Sequence, residues 1–379
     1  MTEGPARPAI VSLMAASVAS QSLIVVLAPA MVRVAGEFSA PVGMVSQARS
    51  FTAVAAIAVS ALLGPVIGRL GPGRVIAAGA TVAVVACAVI GLSGTLWLFL
   101  GAHLLAGIAI ALLLSASFAG AAASGEHRAR ALGLVAGANS LAWIAVNPLS
   151  GFLTEALSWR LAYCVPAAAA LGALATARHA PAARHTEPSG TSLRALLAIG
   201  PARNWLLAEL AAYSAWTAVL TFTGPLLVQR DHVPESVTGV ALGLGAGAFF
   251  LTSTSGFVAR RPRNLRRTAL GASLAVAVLS ALLFALDVSP WFTVLAFCLL
   301  GASAGVRTPA ATLIGVTALP GQATTLMAAR TGITQLGYFL GAVASGSLLA
   351  WGGFAAVGAA VLPGMVLAGC LLAYRVKLF

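Results

Sequence analysis

Charge is what this 379-residue sequence has least of. Asp, Glu, Lys and Arg together make up 8% of it, against roughly 25% in a soluble domain. So few charges cannot cover a water-facing surface, which excludes a soluble enzyme and a disordered chain. Cysteine is nearly as scarce: Cys87, Cys164, Cys298 and Cys370 lie far apart, each inside an apolar run. That spacing excludes a disulfide scaffold, and no CxxC or Cys/His pattern offers a zinc site or a redox pair, so no metal and no cofactor is expected. Lysine occurs once, as Lys377; the other basic residues are arginines, which with the abundant alanine suggests a GC-rich bacterial genome. Nine acidic residues against 22 basic ones leave a net charge of +13. That excess does not indicate nucleic acid, because the basic residues fall in short gaps between apolar runs rather than in an aromatic-interleaved groove.

What is abundant is hydrophobic sequence, at 60%. Twelve apolar runs can be marked, at 9–32, 46–68, 75–93, 96–122, 131–154, 161–177, 204–228, 236–259, 268–286, 290–312, 325–350 and 353–374. Most are close to the about 20 residues that cross a bilayer as a helix. They are too long and too uniformly apolar for barrel strands, so helices are expected. The first run is too long for a signal-peptide core and reads as a span that stays. With the N-terminus inside, 17 basic residues fall on the cytoplasmic side and four, Arg33, Arg49, Arg160 and Arg230, on the outer side, Arg307 lying within a span. The positive-inside rule then predicts both termini in the cytoplasm and an even number of spans.

Residues 178–203, with Pro181, Pro188, Ser189, Gly190 and Ser192, form the longest polar gap and divide the spans six and six. The expected organisation is an N-terminal six-helix bundle over 1–177, a cytoplasmic linker over 178–203 and a C-terminal six-helix bundle over 204–379. The halves repeat in parallel. Gly64, Arg69 and Arg74 recur as Gly256, Arg261 and Arg266; Gly107 recurs as Gly301; Gly137, Leu141, Gly151 and Leu153 recur as Gly332, Leu336, Gly346 and Leu348. The near-constant shift, in the same order, is what a duplicated unit leaves behind.

Three motifs bear on identity. Gly64-Pro-Val-Ile-Gly-Arg69-Leu-Gly71-Pro-Gly-Arg74 after the second span resembles the loop signature of the major facilitator superfamily, with Gly68 where that family has an aspartate. His103-Leu-Leu-Ala-Gly107 resembles the family's fourth-span R-x-x-x-G, with His in the Arg position. In the fifth span, Gly137-Ala-Asn139 through Asn147-Pro148-Leu-Ser-Gly151 resembles the antiporter signature, and Ser158-Trp159-Arg160 resembles the G-W-R that opens the sixth. The resemblance implies an all-α polytopic membrane protein of twelve transmembrane helices in two parallel-repeat six-helix bundles. It implies two halves rocking about a midplane site, with spans 1, 4, 7 and 10 lining the cavity. It leans toward the drug/proton antiporter branch.

The candidate residues follow. His103 and Glu209 are the proton-coupling candidates, since an ionisable group at membrane depth defaults to function. Glu209 is expected to pair with Arg307 or Arg330, an unpaired carboxylate there being costly. Gln21, Asn139, Tyr213, Trp216, Arg307, Gln335 and Tyr338 are candidates for a solute cavity. Gly64, Arg69, Gly71, Arg74, Asn147, Pro148 and Gly151 are candidates for the conformational switch, through close packing and a helix bend. The expected function is export of a small organic molecule by proton antiport with alternating access. The expected partners are that solute, protons and the lipid bilayer, with no nucleic acid; the expected state is a monomer in a bacterial inner membrane. The alternatives are an uptake symporter or facilitator for a small, anionic solute, and a non-transporting membrane sensor. No P-loop is present to supply ATP drive, and no paired Asp, Ser/His pair or H-E-x-x-H to make an intramembrane enzyme.

Overall fold

The computed structural model describes residues 7–60, 62–124, 127–181, 193–255, 258, 264–318 and 323–376. Among them every regular element is helical. The spans are α1 (Arg7–Glu37), α2 (Val42–Ser60), α3 (Pro72–Gly91), α4 (Leu96–Ala122), α5 (Arg128–Ala156), α6 (Trp159–His179), α7 (Gly200–Gln229), α8 (Glu235–Thr254), α9 (Leu265–Ala285), α10 (Pro290–Ala318), and then one continuous stretch, Ala323–Cys370. At 48 residues that stretch would run about 72 Å if straight, more than twice the roughly 30 Å of a bilayer core. It is broken at Gly352 (φ −141°, ψ 19°) and Gly353 (φ 64°, ψ −161°). Only glycine takes the second of these conformations readily. The break makes two spans, α11 (323–351) and α12 (354–370), for twelve in all.

Local chemistry explains the other interruptions. α1 breaks at Val26, because Pro29 has no N–H and its ring meets the carbonyl of Val25, four residues back. Gly71 (φ 80°, ψ 155°) ends the short helix Leu63–Leu70 and starts α3, making a turn that a side chain would strain. α7 begins at Gly200, with Pro201 at its first turn, four residues earlier than hydropathy alone predicts. α2 begins at Val42, so Arg49, expected at the outer edge, is about 10 Å along that span.

The chain divides into two compact units. Unit 1 comprises residues up to Glu187 together with Pro234–Gly243; unit 2 comprises Pro188–Val233 and Leu244 onward. In unit 1, α4 packs along α2 and α3, and α1 packs against α4, α5 and α6. In unit 2, α7 and α9 pack along the α11–α12 stretch, and α9 packs on α10. The repeat is visible at one pair of positions. A Cβ at Gly107 would overlap the carbonyl of Thr52, where α4 crosses α2; one at Gly301 would overlap the carbonyl of Gly245, where α10 crosses α8. The same close backbone approach occurs in each unit at the same place in its helix order. Gly256 and Arg261, the expected counterparts of Gly64 and Arg69, lie outside the described residues.

Candidate functional site

Unit 2 holds a buried charged cluster. Glu209 is the tenth residue of α7, about 14 Å from its start, and is fully buried. Its Oε1 accepts from Arg307 Nη2 at 2.9 Å and its Oε2 from Arg330 Nε at 2.7 Å. Arg307 enters from α10, about 16 Å before the end of that helix, and Arg330 from α11, about 10 Å after its start. Both arginines expected near Glu209 therefore meet it, one on each carboxylate oxygen. Arg330 Nη2 donates to the hydroxyl of Tyr213 at 3.3 Å. The Arg330 guanidinium also sits 5.8 Å from the Tyr213 ring and 5.9 Å from the Trp205 ring. Tyr338 meets Tyr213 edge-on at 5.7 Å, and Gln335, one turn before Tyr338, is buried. Trp216 lies further along α7, stacked on Phe249 of α8 at 6.4 Å. Trp205 was not among the sequence candidates; its indole donates to the Ala311 carbonyl at 2.8 Å and fixes α7 against α10.

His103 lies in unit 1, about 10 Å along α4. Its Nδ1 donates to the Phe99 carbonyl at 2.8 Å, and its Nε2 is hydrogen-bonded to the Tyr163 hydroxyl at 3.3 Å. A carbonyl can only accept, so Nδ1 carries a proton. Phe99 packs on the imidazole at 4.5 Å and Tyr163 meets it edge-on at 6.2 Å. Both ring nitrogens are thus engaged and the ring is buried. Trp159, from the sixth-span motif, joins the same aromatic cluster, and its indole donates to Glu37. Arg160 reaches Glu37 at 2.5 Å and the carbonyls of Gly91 and Ser93 at 2.7 and 2.8 Å, tying together the end of α1, the end of α3 and the start of α6. Sequence reasoning missed Glu37; the only signal was an acidic residue at the end of a span.

The remaining unit 1 candidates line α1 and α5. Trp143 of α5 donates to Gln21 of α1 at 2.9 Å, and Asn147 Nδ2 donates to the Trp143 carbonyl at 2.8 Å. Asn139 is half-buried on the same helix. Pro148 sits inside α5. Gly151 faces the first turns of α8, residues that belong to unit 1: a Cβ on it would overlap the Glu235 carbonyl, and one on Gly239 would overlap the Asn147 carbonyl. Arg33 meets Glu235 at 2.5 Å, and Glu155 accepts from the backbone N–H of Ser236 at 2.9 Å, at the positive end of the α8 dipole. Neither of these two contacts was foreseen. In the loop after α2, Gly64 and Gly68 lie in the helix Leu63–Leu70; Arg69 and Arg74 are exposed and form no ion pair among the described residues. Also among the described residues, no group of three or more His, Cys, Asp or Glu is placed to hold a metal.

Comparison with known proteins follows this geometry. The sequence model of the Major Facilitator Superfamily matches residues 10–342. Among curated proteins none matches the sequence. Three solved structures share the fold. The human organic anion transporter MFSD10 (TETRAN) aligns with a TM-score of 0.69 at 18% identity, over 98% of this chain and all of that one. The nucleoside transporter NupG aligns with a TM-score of 0.76 at 12% identity, over 96% and 98%. A D-xylose-proton symporter aligns with a TM-score of 0.79 at 13% identity, over 97% of each.

Proposed function

Because the chain belongs to the Major Facilitator Superfamily, we propose that it is a secondary transporter moving a small organic solute by alternating access, with the Glu209–Arg307–Arg330 cluster as its solute and coupling site. The observation that carries this reading is the cluster itself. Charges are expensive at membrane depth and are retained there for transport chemistry. Here three helices each contribute one, and Tyr213, Tyr338 and Trp205 surround them. Glu209 is the coupling group of this account. His103 has both nitrogens occupied and aromatic rings packed around it, so its place is explained by what it holds together.

The resemblance of α5 to the antiporter signature supports proton-coupled transport, and the close packing at Gly151 and Gly239 supports a moving interface there. The distribution of arginines supports cytoplasmic termini, and the Arg- and Ala-rich composition supports a bacterial inner-membrane location. Liposomes containing the purified chain and a pH-sensitive dye test the function. A panel of organic acids, amines, sugars and nucleosides is added outside. The expected result is a solute-dependent pH change in loaded liposomes that is absent from empty ones and from liposomes carrying Arg330→Gln. A chain that folds and moves no member of the panel supports the non-transporting alternative.

A further inference from the structure

Two guanidinium groups share one buried carboxylate in unit 2, which leaves one positive charge in excess around it. That net positive charge draws an anion toward the cluster. Arg307 Nε is buried and has no hydrogen-bond partner among the described residues, so a donor remains after Glu209 is satisfied. Arg330 is the accessible edge of the cluster, its side chain 17% exposed, and the rings of Trp205 and Tyr213 stand beside its guanidinium. Spare positive charge, a planar donor fork and aromatic faces suit a carboxylate on a small apolar or aromatic body.

Resting on the assignment of this cluster as the solute site, we propose that the solute is an organic monocarboxylate and that it binds together with a proton, the proton on Glu209 and the carboxylate on Arg307 and Arg330. The proton adds to a carboxylate oxygen of Glu209, and no covalent bond other than that O–H forms or breaks. The guanidinium donors that the neutral acid no longer holds pass to the incoming carboxylate. Proton and monocarboxylate together add no net charge, so the loaded cluster carries the same single excess charge as the empty one. A carboxylate arriving alone must share the two forks with Glu209, against like-charge repulsion. By linkage each ligand favours the other. This is the sense of co-transport, not the exchange suggested by the α5 signature. A cationic solute competing for Glu209 would face both guanidinium groups.

The groups facing Glu209 are few. Arg307 comes from α10, Arg330 from α11 with Tyr338 beside it, and Tyr213 from α7 itself. The turn Leu371–Arg375, also packed on α7, offers Tyr374, which is exposed. Among these the only carboxylate is Glu209, so the proton has one acceptor.

The test is binding to the purified full chain, with acetate, lactate, benzoate and phenylacetate as anionic probes, benzamide as the neutral probe and benzylamine as the cationic one. Calorimetry in buffers of different ionisation enthalpy counts the protons. The expected result is that at least one carboxylate binds while benzamide and benzylamine do not, with about one proton taken up per anion and affinity falling as pH rises. Arg330→Gln weakens that binding roughly tenfold or more, and Arg330→Lys, which keeps the charge and loses the fork, weakens it less. Glu209→Gln binds the same carboxylate with no proton uptake and no pH dependence; if that variant is unstable, the carboxylate raises its melting temperature more than it raises the wild type's. Failure of all the carboxylates, preference for benzylamine, or proton release on anion binding overturns the proposal. If a solute of any charge binds and moves unchanged in both Arg330→Gln and Glu209→Gln, the cluster is not the solute site, and the underlying assignment falls with the inference.

Discussion

Glu209 is fully buried, so its ionised form rests on Arg307 and Arg330. Removing the carboxylate strands a buried cation, Arg307, and a partly buried one, Arg330. Glu209→Ala should therefore destabilise the chain by about 3–5 kcal/mol, read as a lowered melting temperature. Replacing all three charges together, as Glu209→Leu, Arg307→Met and Arg330→Met, removes the desolvation cost along with the pairing. That triple variant should melt near the wild type and transport nothing, which separates the structural role of the cluster from its function. His103 gives the opposite pattern. Its hydrogen bonds to Phe99 and Tyr163 and its aromatic packing predict that His103→Ala costs about 2–4 kcal/mol of stability through a cavity and an unpaired hydroxyl. The pH dependence of transport should be unchanged in the molecules that fold. Pairing at Glu209 was legible in the sequence because the three charges sit at similar depth on their runs. The satisfaction of His103 was not, because Tyr163 lies 60 positions away and nothing in the local sequence of either residue announces the other.

At the scale of the element, small residues decide which helices touch. Gly107 and Gly301 stand where α4 and α10 meet backbone carbonyls of α2 and α8, whereas a Cβ at Gly137 or Gly332 would meet nothing within 4 Å. Gly107→Val and Gly301→Val should each reduce the yield of folded protein severely. Gly137→Ala and Gly332→Ala should be neutral or stabilising by up to about 1 kcal/mol, since alanine lowers the entropy of the unfolded chain. Melting temperatures of the four variants check this. All four glycines looked alike in the repeat pattern; spacing revealed the duplication but could not say which glycines bear a neighbour. The break between α11 and α12 was legible, because Gly352 and Gly353 interrupt an apolar stretch too long for one crossing. The tie of Glu37 to Trp159 and Arg160 was not, since it joins positions more than 120 apart.

For the whole molecule, hydropathy and the arginine distribution carried most of the fold: twelve spans and an even count follow from periodic apolar runs and from what lipid permits. Three of the four arginines assigned to the outer side each hold an acidic partner, Arg33 with Glu235, Arg160 with Glu37 and Arg230 with Asp231. A reporter that is active only in the cytoplasm, fused after Phe379, should be active in intact cells. The chemistry of transport was less legible than the fold, because the sense of coupling depends on how many charges share one site, and that count needs three helices in register. The most direct measurement is gradient-driven accumulation of a transported solute in liposomes, set beside equilibrium exchange of the same solute, for Glu209→Gln and His103→Ala. The account predicts that Glu209→Gln retains exchange and loses accumulation while His103→Ala retains both; accumulation that survives in Glu209→Gln and disappears in His103→Ala would contradict it.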